Sequence, residues 1–264
     1  MELIKNTIRV GNSAGVLLPK EFLNTQVKVV LQPLNIEKDV IEILSKEKIL
    51  PNVLGVYLAG SYARNEQTIE SDIDILVITD NLNDKIKNGK YNLMLVSKEI
   101  VDEKMKKNII PLLPMMIEAK SIINKSLLNK YIKTPLNKKN LRWHIETTKS
   151  AMNIVKEYIK LAEEMNIKVG DGYAYSLILR LRTIYIIDCL KSRKVWTKKE
   201  FLNLIKNVSG SLTAYERYLE SKNKNVKEHK LPVDKAKKLM NYNNKKINEI
   251  EKWLKEKKEQ EKKD

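Results

Sequence analysis

Apolar residues follow three successive patterns along the chain. Short alternating stretches at residues 7–10 and 15–18 predict strands near the N-terminus. Longer apolar runs at residues 53–59 and 73–78 predict buried strands. From residue 141 onward the apolar positions recur at helical spacing, which predicts a helical bundle. The order of these patterns predicts an α+β protein with a small N-terminal β segment, a central α/β domain and a C-terminal helical bundle.

The remaining elements of the first two regions are predicted from shorter patterns and from proline and glycine positions. We expect three further strands, three helices and one polar loop. The strands are at residues 27–31, 91–96 and 109–117, the helices at 35–49, 100–107 and 122–132, and the loop at 81–89. The expected domains are residues 1–34, 35–135 and 136–264.

The connection between the two buried strands carries the candidate chemistry. Gly60 and Ser61 end the first strand, and Asp72 and Asp74 begin the second. Because the two aspartates are two positions apart on a strand, their carboxylates leave the same face and repel each other unless a cation lies between them. Mg²⁺, or Mn²⁺ in its place, is bound by oxygen ligands of this kind, usually together with substrate phosphates. A glycine lets a phosphate approach the backbone closely.

This spacing resembles the active-site signature of the polymerase-β-like nucleotidyltransferases, G-S-x-x-x-G followed by S-D-x-D. The matching residues are Gly60 and Ser61 and then the stretch from Ser71 to Asp74. Asn65 stands where the family usually has glycine, and we expect asparagine to tolerate the left-handed backbone conformation there.

The resemblance implies a palm domain that moves a nucleoside monophosphate from an NTP to an acceptor hydroxyl and releases pyrophosphate. It implies that Asp72 and Asp74 bind the metal ion and carry the catalysis. Nucleotide phosphates would be held by residues of the same connection, namely Gly60, Ser61, Arg64 and Ser71. ATP is the expected nucleotide, although no residue selects the base. The acceptor is expected to be a protein, an RNA or a small molecule.

A third carboxylate, which this superfamily usually takes from the following strand, is missing from the expected place. Asn92 occupies that position, and an amide supplies neither negative charge nor a general base. Glu118, at the end of an apolar run, is the candidate replacement as a metal ligand. The alternative for Glu118 is a solvated strand end.

The first 34 residues resemble the AbrB-type swapped-hairpin DNA-binding domains. The shared signature is Gly-Asn-Ser, then a small strand, then Pro-Lys, which matches Gly11 to Ser13 and Pro19-Lys20. In that family two chains interleave, and basic residues on the dimer contact DNA. The resemblance therefore implies a homodimer and a DNA contact through Lys5, Arg9 and Lys20. The usual Gly-Asp turn after the third strand is absent, so a hairpin that packs on the catalytic domain is the alternative.

The composition limits the kind of protein and its partners. The net charge of +17 attracts polyanions such as nucleic acids, although a general bias towards lysine, isoleucine and asparagine explains it equally well. No apolar run approaches the length that spans a bilayer, so no membrane association is expected. With one cysteine, Cys189, the chain has no intrachain disulfide, and we expect a cytoplasmic protein.

Part of the C-terminal half resembles the helical domain that follows the palm in aminoglycoside-type nucleotidyltransferases. By that resemblance Arg180, Arg182 and Lys198 face nucleotide phosphates, while a structural ion pair is the alternative for the arginines. HEPN ribonuclease domains also accompany such palms, but His144 and His229 lack the arginine spacing of that motif, which excludes ribonuclease activity.

Two functions from different classes follow from these patterns. The first is an Mg²⁺-dependent nucleotidyltransferase. The alternative is a DNA-binding regulator, related to toxin–antitoxin systems, whose palm binds nucleotide without efficient turnover. The first requires that an Asp72 variant loses transfer, and the second requires that Arg9 or Lys20 variants lose DNA binding.

Overall fold

The structure, a computed structural model, describes residues 3, 5, 7–29, 34–222 and 231–260. The chain divides into two compact units, Met1–Asp39 and Val40–Asp264, and each unit is described separately. Together they form a mixed α and β protein with a helical C-terminal region, so the predicted fold class is confirmed.

The N-terminal unit contains one short hairpin. Strand β1 (Ile8–Val10) pairs antiparallel with β2 (Ser13–Gly15), and a single 3₁₀ turn follows at Lys20–Phe22. None of the described residues of this unit is buried. The hairpin therefore forms without a hydrophobic core among the residues that the structure describes.

Two predictions for this unit need correction. The second strand begins at Ser13 and ends at Gly15, where the predicted strand at 15–18 begins. No strand is present at residues 27–29, and residues 30 and 31 of the predicted third strand lie outside the described residues.

The second unit begins with a five-stranded mixed sheet, which is the palm. Helix α1 (Ile36–Lys46) leads into it, and the strand order is β5-β6-β4-β3-β7. The strands are β3 (Val53–Ala59), β4 (Ile73–Thr79), β5 (Asp84–Asn88), β6 (Tyr91–Ser97) and β7 (Lys120–Ile123). Strand β4 lies at the centre of the sheet. Its residues do not alternate between apolar and polar, because both faces of the strand are covered, as is typical of inner strands.

The register of the three inner strands brings the polar residues together at one edge of the sheet. Strands β3 and β4 are antiparallel and pair Ala59 with Asp74. Strands β4 and β6 are parallel and pair Asp74 with Asn92. Asn92 therefore lies directly beside Asp74, at the position expected for the missing carboxylate.

The predictions of a loop at residues 81–89 and of a strand at residues 109–117 were wrong. The polar stretch forms the exposed edge strand β5, because its backbone pairs with β6 while its side chains stay in solvent. The apolar stretch forms a 3₁₀-like turn and helix α4 (Leu113–Glu118), in which Pro114 occupies a first-turn position. Strand β7 follows this helix and completes the sheet beside β3.

Helices make up the rest of the chain. Asn124 and Thr197 accept hydrogen bonds from backbone N–H groups as N-caps of α5 and α8, and Ser97 caps α3 in the same way. The bounds are α3 Lys98–Lys107, α5 Lys125–Ile132, α6 Lys138–Glu164, α7 Asp171–Lys191, α8 Lys198–Ser209, α9 Thr213–Lys222 and α10 Val233–Gln260. Within the described parts of the chain, no helix combines the length and the apolar character that crossing a membrane requires.

Two hydrophobic clusters hold this unit together. One joins the sheet to α3, α4 and the ends of α6, α7 and α10. The other lies within the bundle, between α6, α7, α8, α9 and α10. Because α6, α7 and α10 contribute to both clusters, the sheet and the bundle share one continuous apolar framework.

Candidate active site

A glycine turn lies against an aspartate at the polar edge of the sheet. Strand β3 ends at Ala59, and the short helix α2 (Gly60–Ala63) follows it. Gly60 has φ +69°, and a Cβ atom built on it would lie 2.5 Å from Oδ2 of Asp74. The left-handed backbone strains any other residue at this position, and a side chain there would displace the Asp74 carboxylate.

The two aspartates differ in their surroundings. Asp72 is exposed and immediately precedes β4, whereas Asp74 is half-buried within it. Burial raises the pKa of Asp74, and the charge of Asp72 raises it further. Asn92, whose Nδ2 lies 3.5 Å from Oδ1 of Asp74, lowers the same pKa. Two carboxylates that disfavour each other's charge attract a cation to this edge.

The residues at this edge fit a hard divalent ion. Two carboxylates and the Asn92 side-chain amide supply oxygen donors, and Mg²⁺ usually adds substrate phosphates and water to one or two protein carboxylates. Across the described ranges, no group of three or more His, Cys, Asp or Glu side chains is placed to hold a metal ion. Asp72, Asp74 and the neighbouring amide are the side chains of this edge that could hold such an ion.

Glu118 lies in different surroundings from the predicted strand end. It ends helix α4, and its side chain is only 5% exposed. One carboxylate oxygen accepts the Gly60 N–H at 2.9 Å, and the other accepts a hydrogen bond from Nη1 of Arg64 at 2.8 Å. Burial raises the pKa of Glu118, while Arg64 opposes that shift. Both oxygens thus brace the glycine turn, and the predicted metal contact of Glu118 stays a prediction.

Arg64 is held by two carboxylates instead of projecting freely. Its Nε donates to Glu66 at 2.8 Å, and its Nη1 donates to Glu118. The Arg64 side chain is only 12% exposed, and the two carboxylates neutralise its charge. The guanidinium therefore ties helix α2 to helix α4, and its predicted phosphate contact stays a prediction.

Two polar residues shape the connection between the strands. Asn65 has φ +56°, so asparagine does adopt the left-handed conformation expected where the family has glycine, and its Oδ1 accepts from Lys120. The Ser71 hydroxyl accepts the Thr68 N–H at 2.8 Å. Ser71 thus closes a turn just before the aspartates. The Ser61 hydroxyl has no hydrogen bond within the described part of the chain.

The bundle reaches this edge through one aromatic ring. The guanidinium carbon of Arg64 lies 4.5 Å from the ring centroid of Trp196, and that of Arg182 lies 5.0 Å from it. Arg180, two positions earlier on α7, instead donates from Nη1 to Thr147 on α6 at 3.0 Å. Of the two arginines, only Arg182 lies at the junction with the palm. The spacing of residues in the sequence does not reveal these arginine contacts of Trp196.

The predicted DNA-binding residues belong to the other unit. Lys5 and Lys20 are exposed, and Arg9 lies in β1, where its backbone pairs with Ala14. The role of these three residues in DNA binding stays a prediction.

Comparison with known proteins identifies the central part of the chain. Residues 37–141 match the family model described as a nucleotidyltransferase domain. No curated protein shows a significant match to the sequence. The fold is similar to a nucleotidyltransferase-like protein from Exiguobacterium sibiricum 255-15, at 11% identity over 81% of this chain and 75% of that chain, with a TM-score of 0.39. It is also similar to spectinomycin adenyltransferase AAD(9) from Enterococcus faecialis, solved with ATP and spectinomycin, at 13% identity over 80% of this chain and 98% of that chain, with a TM-score of 0.40.

Proposed function

We propose a specific reaction for this chain, which carries a nucleotidyltransferase domain over residues 37–141 and is on that ground an enzyme of nucleotidyl transfer. It moves a nucleoside monophosphate from an NTP, with ATP as the first candidate, to an acceptor hydroxyl and releases pyrophosphate. The observation that supports the proposal is the close approach of the Gly60 turn to Asp74, because it brings the glycine turn of the signature against a carboxylate proposed to bind the metal ion.

Asp72 and Asp74 are the proposed ligands of Mg²⁺ or Mn²⁺. When bound, the ion neutralises charge on the triphosphate and favours departure of pyrophosphate. The close approach of Gly60 to Asp74 keeps the turn and the carboxylates at a fixed separation. Positioning and charge neutralisation then supply most of the catalysis, since phosphoryl transfer needs little covalent chemistry from the protein.

The remaining phosphate contacts come from both sides of the edge. The Ser61 hydroxyl is able to donate to a phosphate oxygen, since within the described residues it has no other partner. Arg182 supplies positive charge from the bundle, and among the described residues it pairs with no carboxylate. A partly buried arginine without a carboxylate is suited to an anionic ligand.

The acceptor is a protein, an RNA or a small molecule with a free hydroxyl. The net charge of +17 favours an anionic acceptor or one that is bound to nucleic acid. The exposed lysines Lys5 and Lys20 of the N-terminal unit are compatible with such a target.

The proposal is tested by label transfer. The protein is incubated with Mg²⁺ and each α-labelled NTP in an extract of its own host, and the Asp72→Asn/Asp74→Asn double variant is the matched control. We expect label on one class of acceptor with the unaltered protein and none with the control. Absence of label from every NTP, with a protein shown to be folded, would contradict the proposal.

One observation favours a second function. Because Asn92 stands directly beside Asp74, the edge lacks the carboxylate that would serve as a general base. A regulator that binds nucleotide at this edge and DNA through Lys5, Arg9 and Lys20 is compatible with that arrangement. It predicts salt-dependent DNA binding that weakens in Arg9→Ala and Lys20→Ala, with no transfer by the unaltered protein.

A further inference from the structure

Trp196 stands in the connection between α7 and α8, and the backbone around it is fixed by both helices. The next residue, Thr197, caps α8 by accepting the Glu200 N–H at 3.2 Å. The Thr197 N–H donates to the Tyr185 hydroxyl of α7 at 3.4 Å, and that hydroxyl donates to Glu200 at 2.8 Å. The position of the indole ring is therefore determined by the ends of two packed helices.

The indole ring contacts one arginine from each side of the junction. Arg64 follows directly after helix α2 of the palm, and Arg182 lies on α7 of the bundle. Their guanidinium carbons are 4.5 and 5.0 Å from the ring centroid, within the range of cation–π attraction. A single ring thus joins the glycine turn to the bundle.

The two arginines depend on this ring to different degrees. Arg64 has two carboxylate partners, Glu66 and Glu118, which hold it without the ring. Arg182 has no ion pair or hydrogen bond among the described residues, and its guanidinium interacts there with the Trp196 ring and, electrostatically, with Tyr215. Removing the ring should leave Arg64 in place and release Arg182.

We propose that Trp196 is a positioning residue: its ring holds the Arg182 guanidinium beside the palm, where it meets the triphosphate of the NTP. This inference rests on the proposed function for the identity of the ligand. Trp196 lies outside residues 37–141, which match the nucleotidyltransferase domain. In this proposal it sets the distance between Arg182 and the Gly60 turn.

A purely structural role for Trp196 needs a separate control. The ring also lines a shallow pocket together with Pro114, Ile117 and Val195. Val195 shares the connection and the pocket, is 40% exposed and makes no cation–π contact with either arginine. Val195→Ala therefore removes side-chain contacts from the same pocket without disturbing the arginines.

The test measures MgATP binding by calorimetry for five variants whose folding is checked by thermal melting. We expect Trp196→Leu to weaken binding about tenfold, Trp196→Phe to stay within about threefold of the unaltered protein, and Val195→Ala to bind normally. Trp196→Leu added to Arg182→Leu should weaken binding no further than Arg182→Leu alone, because both changes remove one interaction. Normal binding by folded Trp196→Leu, or additive losses in the double variant, would overturn the proposal.

A second readout separates this inference from the proposed function. The ring current of Trp196 should shift the Nε–H resonance of Arg182 in the NMR spectrum of the protein without nucleotide, and Trp196→Leu should abolish that shift. If the unaltered protein binds no NTP, the proposed function fails, and the resonance still decides the positioning of Arg182. An Arg182 resonance that is unshifted in the unaltered protein would contradict the positioning itself.

Discussion

Two antiparallel strand pairs of this chain were predicted from apolar patterns, and they have opposite surroundings. Strands β3 and β4 lie inside a five-stranded sheet, and Leu76 of β4 is 0% exposed. Strands β1 and β2 form an isolated hairpin in a unit where no described residue is buried, and Leu17 just beyond it is 68% exposed. Apolar patterns thus indicate a strand in both places, whereas burial depends on remote elements that cover the faces.

The difference explains where the candidate site lies. A catalytic edge needs carboxylates held at fixed separation, and the buried β3–β4 pair supplies that rigidity. A short two-stranded hairpin is at best marginally stable without packing partners. The N-terminal hairpin is therefore better suited to binding another molecule than to holding reacting groups.

The largest expected effect is on catalysis at the buried pair. Asp74→Asn removes the charge that is proposed to bind the metal ion, but it keeps the shape of the side chain and relieves the repulsion with Asp72. Nucleotidyl transfer should fall about a thousandfold while the melting temperature stays the same or rises. Steady-state transfer rates and thermal melting measure the two quantities. Retained activity would show that Asp74 takes no part in the reaction.

Leu76→Ala tests how much the buried β3–β4 pair contributes to the stability of the protein. Leu76 is fully buried in the central strand, so its truncation should lower the free energy of unfolding by about 3 kcal/mol. Denaturant unfolding followed by circular dichroism measures this loss. A change below about 1 kcal/mol would mean that the β4 face is not packed as described.

Glu118→Gln tests the brace between α4 and the glycine turn. The change removes the negative charge that pairs with Arg64 in a site only 5% exposed, so the free energy of unfolding should fall by about 2 kcal/mol. Glu66→Gln is the control, because Glu66 binds the same arginine from a more exposed position and should cost less. Equal losses in the two variants would contradict a specific role for the buried carboxylate.

Leu17→Ala should give the smallest effect. The same chemical change as in Leu76→Ala is made at an exposed position of the N-terminal unit, so the free energy of unfolding should change by less than about 0.5 kcal/mol. Denaturant unfolding at several protein concentrations is the measurement. A loss comparable to that of Leu76→Ala would show that a partner covers the hairpin in solution.

Local signals were sufficient for the centre of the palm. The bounds of β3 were predicted to the residue, and the pairing of Asn92 with Asp74 follows from the expected strand order. The left-handed conformation of Asn65 was also predicted, because few other residues adopt it readily.

Contacts between distant parts of the chain could not be predicted. The roles of Glu118 and Trp196 depend on how α4 and the connection before α8 pack against the glycine turn, and no local pattern encodes that packing. The edge strand β5 was missed because backbone pairing, and not apolar spacing, holds it in the sheet. The predicted domain boundaries at residues 34 and 135 stay predictions.

The most direct test of the central claim compares ATP labelled at the α-phosphate with ATP labelled at the γ-phosphate. With Mg²⁺ and the acceptor found in the host extract, nucleotidyl transfer at the Asp72–Asp74 edge predicts that the α-label appears on the acceptor while the γ-label leaves as pyrophosphate. Both results should vanish in Asp74→Asn. Transfer of the γ-label, or transfer of the α-label that persists in Asp74→Asn, would contradict the account.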